Sequence, residues 1–250
     1  MASTLSIDIL SPEKFESGWK FTCPTNLLTL VRTNQAANYF RMLLHFIEDE
    51  LNLVNFQLKI HSTCQPLEQL KIMMIYSENQ ERKEFDCAST CISCDSMHPL
   101  SQATLLSENI FTYGWLDFRL RQKLILTPKR HVQRLSELRD ENGEMSAFWF
   151  DAIQLITAES QLKLDGHFPV LSINQGTFRK HEHLHLKMDL DQEFWDRVIV
   201  DKYQKQLESV GTFLRQIELI ENCFSPGELQ HVIDRGLVNV DNHQNETAGN

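Results

Sequence analysis

Three histidines alternate with other residues in the segment HEHLHLKM, at His181, His183 and His185. Side chains at i, i+2 and i+4 of a β-strand point to one face of a sheet, so a strand over 181–188 would line one face with imidazoles. Random placement of the ten histidines among 250 residues predicts about 0.016 such triplets. A crowded imidazole row is costly to protonate and suits metal binding or phosphoryl chemistry. The segment therefore predicts a functional strand rather than a row of solvated side chains.

A second feature is the pair of cysteines in Cys91-Ile92-Ser93-Cys94. Its two thiols can chelate one ion, but a tetrahedral zinc site needs two further ligands. Two histidines would complete such a set. The N-terminus has no basic segment followed by an apolar run, so we expect no secretory signal and a cytoplasmic protein. Cysteines in that compartment are reduced thiols or metal ligands rather than disulfides.

The charge balance restricts the classes of partner. Asp and Glu number 34 and Lys and Arg 24, which gives a net charge of −10. An acidic chain of this kind argues against broad binding to nucleic acid, although one local basic site for a nucleotide remains compatible with it. No apolar run approaches the roughly 18–20 residues of a membrane helix, so no membrane partner is expected.

Composition and periodicity divide the chain into three predicted regions. These are an N-terminal α+β extension (1–86), a central domain (87–190), and a C-terminal helical segment with a disordered tail (191–250). The charged stretch 77–86 is the candidate linker. Strands are predicted at 52–60, 69–76, 122–127, 168–174 and 181–188, and helices around 34–51, from Ser136 onward, at 144–162 and at 191–223.

Residues 87–190 resemble the histidine-triad (HIT) superfamily, in its zinc-bearing HxHxH hydrolase-like branch. The resemblance rests on Asn174, Gly176 and the three histidines, on the stretch 115–138, and on the CISC turn. It implies an α+β fold with a HIT-like antiparallel sheet and flanking helices. A third histidine in place of glutamine is similar to the hydrolase branches rather than to the galactose-1-phosphate uridylyltransferase branch.

The resemblance also implies a ligand set and a nucleophile. In the zinc-bearing branches the corresponding metal ligands are Cys91, Cys94, His131 and His181. Two thiolates and two imidazoles close a tetrahedral structural Zn2+ site with no open position for water. The middle histidine, His183, would attack the α-phosphorus of a nucleotide, and His185 would contact the phosphate and assist the leaving group.

Four further residues are expected to bind the nucleotide. Asp117 matches an acidic residue that hydrogen-bonds ribose hydroxyls, and Asn174 matches an asparagine near the phosphate or ribose. A turn residue before Gly176 is the alternative for Asn174. Lys123 stands where the family usually has another histidine. Arg179 could screen phosphate charge, and a charged surface turn explains it equally well.

The predicted function is a nucleotide hydrolase or nucleotidyl transferase that forms a nucleotidyl-histidine intermediate. The alternative is a catalytically degenerate HIT-like protein that binds a nucleotide or regulates a partner. Lys123 and the short loop 175–180, which lacks the family's Gln-Ser/Thr element, motivate that alternative. The net charge of −10 argues against nucleic-acid end processing. A nucleotide or nucleotide conjugate is therefore the expected partner, and the resemblance also implies a homodimer.

Overall fold

In the part of the chain that the structure describes, nine β-strands form one antiparallel sheet with flanking helices. The computed structural model describes residues 10–63, 65, 68–81, 91–95, 98–117, 119, 121–160, 168–179, 181 and 183–221. The strands are β1 (Glu13–Phe15), β2 (Gly18–Cys23), β3 (Phe56–His61), β4 (Leu70–Tyr76), β5 (Leu105–Glu108), β6 (Thr112–Leu116), β7 (Lys123–Pro128), β8 (Val170–Asn174) and β9 (Leu186–Asp189). The helices are α1 (Leu27–Arg32), α2 (Ala36–His45), α3 (Pro99–Thr104), α4 (Glu144–Ser160), α5 (Gln192–Phe194) and α6 (Asp201–Glu221). The predicted α+β class, with an antiparallel sheet and flanking helices, is confirmed.

The sheet joins the N-terminal and central regions. Its strands run in the order β1-β2-β4-β3-β8-β9-β7-β6-β5. The two regions meet where β3 pairs with β8, in a register that places Leu58 opposite Ile173. The boundary predicted at residue 86 falls within 82–90, outside the described residues. The division into three regions therefore stays a prediction, while strands on both sides of that boundary share one sheet.

The hydrophobic core is also shared between the two regions. Along β4, Leu70, Ile72 and Met74 alternate with more exposed residues and are fully buried, as a strand with one face on the core requires. Helices α2 and α4 meet through Phe40 and Trp149, whose ring centroids lie 3.7 Å apart in a stacked arrangement. Both rings are completely buried. This stack ties a helix of the N-terminal region to a helix of the central region.

Local periodicity located β3, β4, β7, β8, α2 and α4 to within a few residues, and it missed β1, β2, β5, β6, α1 and α3. The helix predicted at 144–162 is α4, and the strand predicted at 168–174 is β8. The helix expected from Ser136 is instead a single 3₁₀ turn over Leu135–Glu137. The helix predicted at 191–223 corresponds to α5, a π-helical turn and α6. Residues 222–250, including the tail predicted to be disordered, lie outside the described residues.

The histidine segment differs from its prediction. Strand β9 begins only at Leu186, so the three histidines precede it. The Leu184 amide donates 2.8 Å to the carbonyl of Val132, in the loop after β7, rather than to a neighbouring strand. The backbone before β9 is therefore irregular. For that reason the simple alternation of strand side chains does not fix the direction of each imidazole.

Helix α6 packs near the cysteine turn. Leu100 of α3 forms a small buried cluster with Val210 and Phe213 of α6, separate from the main core. This contact holds α3, which follows Cys91 and Cys94 in the chain, against the rest of the domain. Among the described helices, none combines the length and the apolar character needed to span a bilayer.

Candidate functional site

Four side chains from three loops converge at one end of the sheet. Cys91 and Cys94 lie in a turn just before α3, His131 follows β7, and His183 precedes β9. Their ligand atoms all lie within 4.8 Å of one another. Two sulfur and two nitrogen donors are a set that suits a soft, tetrahedral metal. This cluster could hold a metal ion.

The distances within the cluster fit one shared ion. Cys91 Sγ and Cys94 Sγ lie 3.4 Å and 3.3 Å from His183 Nδ1, and Cys94 Sγ lies 3.2 Å from His131 Nδ1. Zinc bonds of about 2.3 Å to sulfur and 2.0–2.1 Å to nitrogen, at tetrahedral angles, place S and N about 3.5 Å apart. The donors are therefore arranged much as a tetrahedral zinc site requires.

The two ring nitrogens of His183 are both engaged. Its Nε2 donates to the Pro128 carbonyl at 2.8 Å, which leaves the Nδ1 lone pair directed at the thiols. A backbone acceptor on one nitrogen fixes the tautomer that presents the other to a metal. The side chain is only 1% exposed. His183 is therefore oriented as a ligand, and neither nitrogen can reach a substrate.

The thiol of Cys91 is set up as a thiolate. A hydrogen bond from Cys94, together with contact to His183, lowers the pKa of Cys91 to about 3 despite the opposing effect of burial. The thiolate is the form of cysteine that binds metal. Cys91 is therefore in the deprotonated form that a metal site needs.

This geometry differs from the sequence assignment of two histidines. The sequence assigns His181 to the metal and His183 to nucleophilic attack, whereas the structure places His183 in the cluster and His181 outside it. The His181 side chain is exposed and turns toward His185, with ring centroids 5.5 Å apart. The difference arises because the segment is irregular before β9, so His183 turns toward the cysteines while His181 and His185 line the neighbouring cleft.

A cleft that is open to solvent lies beside the cluster. Apolar side chains of β6 and β7, including Trp115 and Ile125, form one wall. Its polar lining includes Ser93, Asp117, Arg121, His181, His185 and Lys187. A concave site with an apolar wall and a few convergent polar groups is the usual form of a small-molecule site.

His185 presents one nitrogen to this cleft. Its Nδ1 donates to the backbone carbonyl of His183 at 2.7 Å, while Nε2 lies 3.2 Å from the Ser93 hydroxyl. Burial and the neighbouring rings of His183 and His181 lower the pKa of His185 to about 3. The imidazole is therefore neutral at pH 7, and its Nε2 lone pair faces the cleft. A neutral imidazole with a fixed tautomer is the nucleophilic form of histidine.

The charged groups in the cleft are arranged around Asp117, which is 1% exposed. Its carboxylate accepts from the Arg119 amide at 2.8 Å and from Arg121 Nε at 2.8 Å. Burial, together with Arg121 and Lys123, lowers the pKa of Lys187. Burial and the cations Arg119, Lys187 and Arg121 also lower the pKa of His181. Burial is the largest cause of both pKa shifts, and the nearby cations are the second. Lys187 and Arg121, which is ion-paired with Asp117, are the groups that would attract a phosphate.

Three residues predicted to bind nucleotide lie outside the lining of this cleft. Lys123 pairs with Asp189 on the adjacent strand β9. Asn174 accepts from Gln57 at 2.7 Å and donates to the Phe178 carbonyl, which is the turn role that the sequence left open. The Arg179 guanidinium is buried and donates to Gln133, at 2.5 Å to its carbonyl and 3.2 Å to its side chain. Each side chain thus satisfies a local structural contact.

Sequence reasoning missed several cleft residues, among them three polar ones close in the chain to predicted site residues. Ser93 lies within the CISC turn, Arg121 is four residues after Asp117, and Lys187 is two residues after His185. The sequence could have identified Lys187, because its spacing of two residues from His185 continues the alternating pattern of the three histidines. Arg121 and Ser93 lie on turns whose course local periodicity does not determine.

Comparisons with known proteins identify the fold only. No protein-family model matches the chain, and no curated protein matches it. A solved structure of a uridylyltransferase mutant aligns with a TM-score of 0.50 at 12% identity, covering 81% of this chain and 84% of that one. Another uridylyltransferase structure gives 0.47 at 15% identity, covering 72% and 67%. An ADP-glucose phosphorylase from Arabidopsis thaliana with bound ADP-glucose gives 0.47 at 12% identity, covering 69% and 63%. The first of these similarities shows a fold shared with a uridylyltransferase.

Proposed function

We propose that this protein is a nucleotidyl transferase or nucleotide hydrolase that acts at the α-phosphate through a nucleotidyl-histidine intermediate on His185. The observation that carries the proposal is the orientation of His185. Its Nδ1–H is held by a backbone carbonyl and its Nε2 faces a cationic cleft. The nucleophile is thus His185 rather than His183, whose two nitrogens are already engaged.

In the proposed first step, the Nε2 lone pair of His185 attacks the α-phosphorus and forms an N–P bond. The bond from phosphorus to the bridging oxygen breaks, and its electron pair leaves with that oxygen on the departing phosphate. Nδ1 keeps its proton throughout, and the positive charge that develops on the ring is stabilised by the His183 carbonyl. A second oxygen nucleophile, either water or a phosphate acceptor, then forms the new P–O bond and returns the electron pair to Nε2. When the nucleophile is water, its proton leaves to the solvent.

The cleft supplies the groups that this step needs. Arg121 and Lys187 are placed to balance the charge of the substrate phosphates. Asp117 is the residue we propose for the ribose hydroxyls. An ionised carboxylate has about four acceptor positions, and the three contacts from the Arg119 amide and from Nε and Nη2 of Arg121 do not use them all. The wall formed by Trp115 and Ile125 offers apolar surface for a base.

We propose zinc as the ion of the cysteine–histidine cluster. Cys91, Cys94, His131 and His183 would hold it with all four positions filled by protein, which makes the ion structural rather than a source of activated water. When bound, it would fix the positions of the three loops that carry these residues. His183 would then connect the metal site to His185 through its own backbone carbonyl.

The fold similarity supports a nucleotidyl group as the transferred unit, because the structure aligned at a TM-score of 0.50 is described as a uridylyltransferase. The shared fold does not decide between the branches of the HIT superfamily. The HxHxH hydrolase branch stays a prediction from the sequence. In the geometry of the site, the motif reads as His183-x-His185-x-Lys187, with lysine at the third position.

A turnover screen tests the proposal. Conjugates of AMP, GMP and UMP would be incubated with the wild type, with His185→Ala and with the control His61→Ala, which alters an exposed histidine on β3. We expect wild-type turnover of at least one conjugate, retention of that activity by the control, and loss of at least 10³-fold in His185→Ala. A His185→Ala variant with full turnover would exclude the proposed nucleophile.

A nucleotide-binding protein without turnover is the second candidate. The observation that favours it is the position of Lys123, Asn174 and Arg179, which satisfy structural contacts away from the cleft. This candidate predicts saturable binding of a nucleoside monophosphate and no covalent adduct on His185. Adduct formation by the wild type would exclude it.

A further inference from the structure

Ser93 is the residue that contacts the cleft-facing nitrogen of His185. Its hydroxyl oxygen lies 3.2 Å from His185 Nε2. Because Nδ1 of the same ring donates to the His183 carbonyl, Nε2 carries no proton and accepts the bond from the Ser93 hydroxyl. The serine therefore covers the lone pair that must attack phosphorus.

The turn that carries Ser93 is held in place at both ends. Cys91 and Cys94 flank it as candidate metal ligands, and the Cys94 amide donates to the Cys91 carbonyl at 2.8 Å. Ser101 of α3 donates its hydroxyl to the Ile92 carbonyl at 2.9 Å. These bonds fix the backbone of the turn, so the Ser93 hydroxyl can rotate about its side-chain bond without moving the turn.

We propose that Ser93 is a phosphate-binding catalytic residue, an inference that rests on the proposed function. When a nucleotide conjugate enters, the hydroxyl leaves Nε2 and donates to a non-bridging oxygen of the α-phosphate. The phosphorus then occupies a position within reach of both Nε2 and the serine. The substrate thus releases the nucleophile and gains a hydrogen-bond donor through a single rotation.

Ser93 transfers no proton in this step. The N–P bond forms from the Nε2 lone pair, the bond to the leaving oxygen breaks with its electrons, and the serine keeps its hydrogen. Its hydrogen bond strengthens as negative charge builds on the equatorial oxygens in the transition state. The cysteine turn therefore acts in two ways, since the residue between its metal ligands also contacts the reacting phosphate.

The test uses Ser93→Ala together with the isosteric pair Ser93→Thr and Ser93→Val. The members of this pair differ only in that threonine has a hydroxyl where valine has a methyl group. The rate of single-turnover labelling would be measured with α-³²P-labelled ADP-, GDP- and UDP-glucose. The control is Ser136→Ala, an exposed serine outside the cleft. Metal content would be measured for every variant, so that only protein with a wild-type metal load enters the comparison.

We expect labelling to fall about 10–100-fold in the alanine and valine variants and to stay within about 3-fold in the threonine variant. The ring ¹⁵N resonance of His185 Nε2 in the free protein should shift in Ser93→Ala and not in the control. Valine labelling as fast as threonine, or an unmoved Nε2 resonance, would overturn the role of Ser93. If the alanine variant does not fold, the threonine–valine pair decides the question.

Failure of the proposed function has a different signature. In that case the wild type itself acquires no label from any of the three conjugates, whatever residue stands at position 93. If the wild type is labelled and the Ser93→Val variant is labelled at the same rate, only the proposed role of Ser93 is overturned.

Discussion

Replacing His183 with alanine removes a buried side chain that faces the metal cluster with one nitrogen and bonds Pro128 with the other. The Pro128 carbonyl then loses its partner in a buried setting, at a cost of about 1–3 kcal/mol. Structural zinc contributes about 10–16 kcal/mol in small zinc domains, so one ligand in four corresponds to about 3 kcal/mol. Because metal binding is linked to folding, the two terms together lower stability by about 4–6 kcal/mol.

For a protein of this size, about 1 kcal/mol shifts the melting temperature by roughly 2–4 °C. His183→Ala should therefore melt about 8–24 °C lower than the wild type. Calorimetry on the zinc-loaded protein measures this shift, and plasma mass spectrometry measures the metal per chain. His181→Ala is the matched control, because that histidine is exposed and lies outside the cluster. The control should keep about one zinc and melt within about 3 °C of the wild type.

The opposite pattern would refute the reasoning. If His181→Ala lost the metal while His183→Ala retained it, the sequence assignment of His181 as the fourth ligand would hold. Loss of zinc in neither variant would show that Cys91, Cys94 and His131 bind the ion without a triad histidine.

Three other predictions concern the remainder of the domain. Glu144→Gln removes the Arg130 ion pair that lowers the pKa of Glu144 to about 2. The variant should be less stable than the wild type by about 1–2 kcal/mol at pH 7, and this difference should vanish as the pH falls from about 5 to 2. The reason is that the contacts that lower the pKa of Glu144 stabilise only its ionised carboxylate. Lys187→Ala should slow adduct formation about 10-fold in a rapid-quench assay without changing metal content. Trp149→Ala should lower the unfolding free energy in urea by about 3–5 kcal/mol, because Trp149 stacks on Phe40 across the shared core; a loss under 1 kcal/mol would contradict that packing.

The sequence predicted the local elements better than their pairing. Apolar periodicity located α4 and β8, since side-chain burial repeats along each element. The pairing of β3 with β8 joins residues more than 100 positions apart, as in Leu58 opposite Ile173. No local pattern encodes such a contact, so the sequence divided into separate regions what the structure places in one sheet.

Some residues of the candidate site could likewise be predicted, and others could not. The family resemblance assigned Cys91, Cys94 and His131 to a metal and Asp117 to a nucleotide; the structure places the first three together and Asp117 in the adjacent cleft. The direction of each triad histidine could not be predicted, because alternation applies to a regular strand and β9 starts only at Leu186. Asn174 and Arg179 illustrate a further limit, since a polar side chain that satisfies a buried backbone group looks the same in sequence as one that binds a ligand.

The central claim is that His183 holds the metal while His185 attacks phosphorus. The most direct measurement is peptide mass spectrometry on wild-type protein quenched in base during turnover of a nucleotide conjugate, because a histidine N–P bond survives alkaline conditions. We predict a nucleoside monophosphate adduct on His185, absent from the His185→Ala variant. An adduct on His183 would contradict the account.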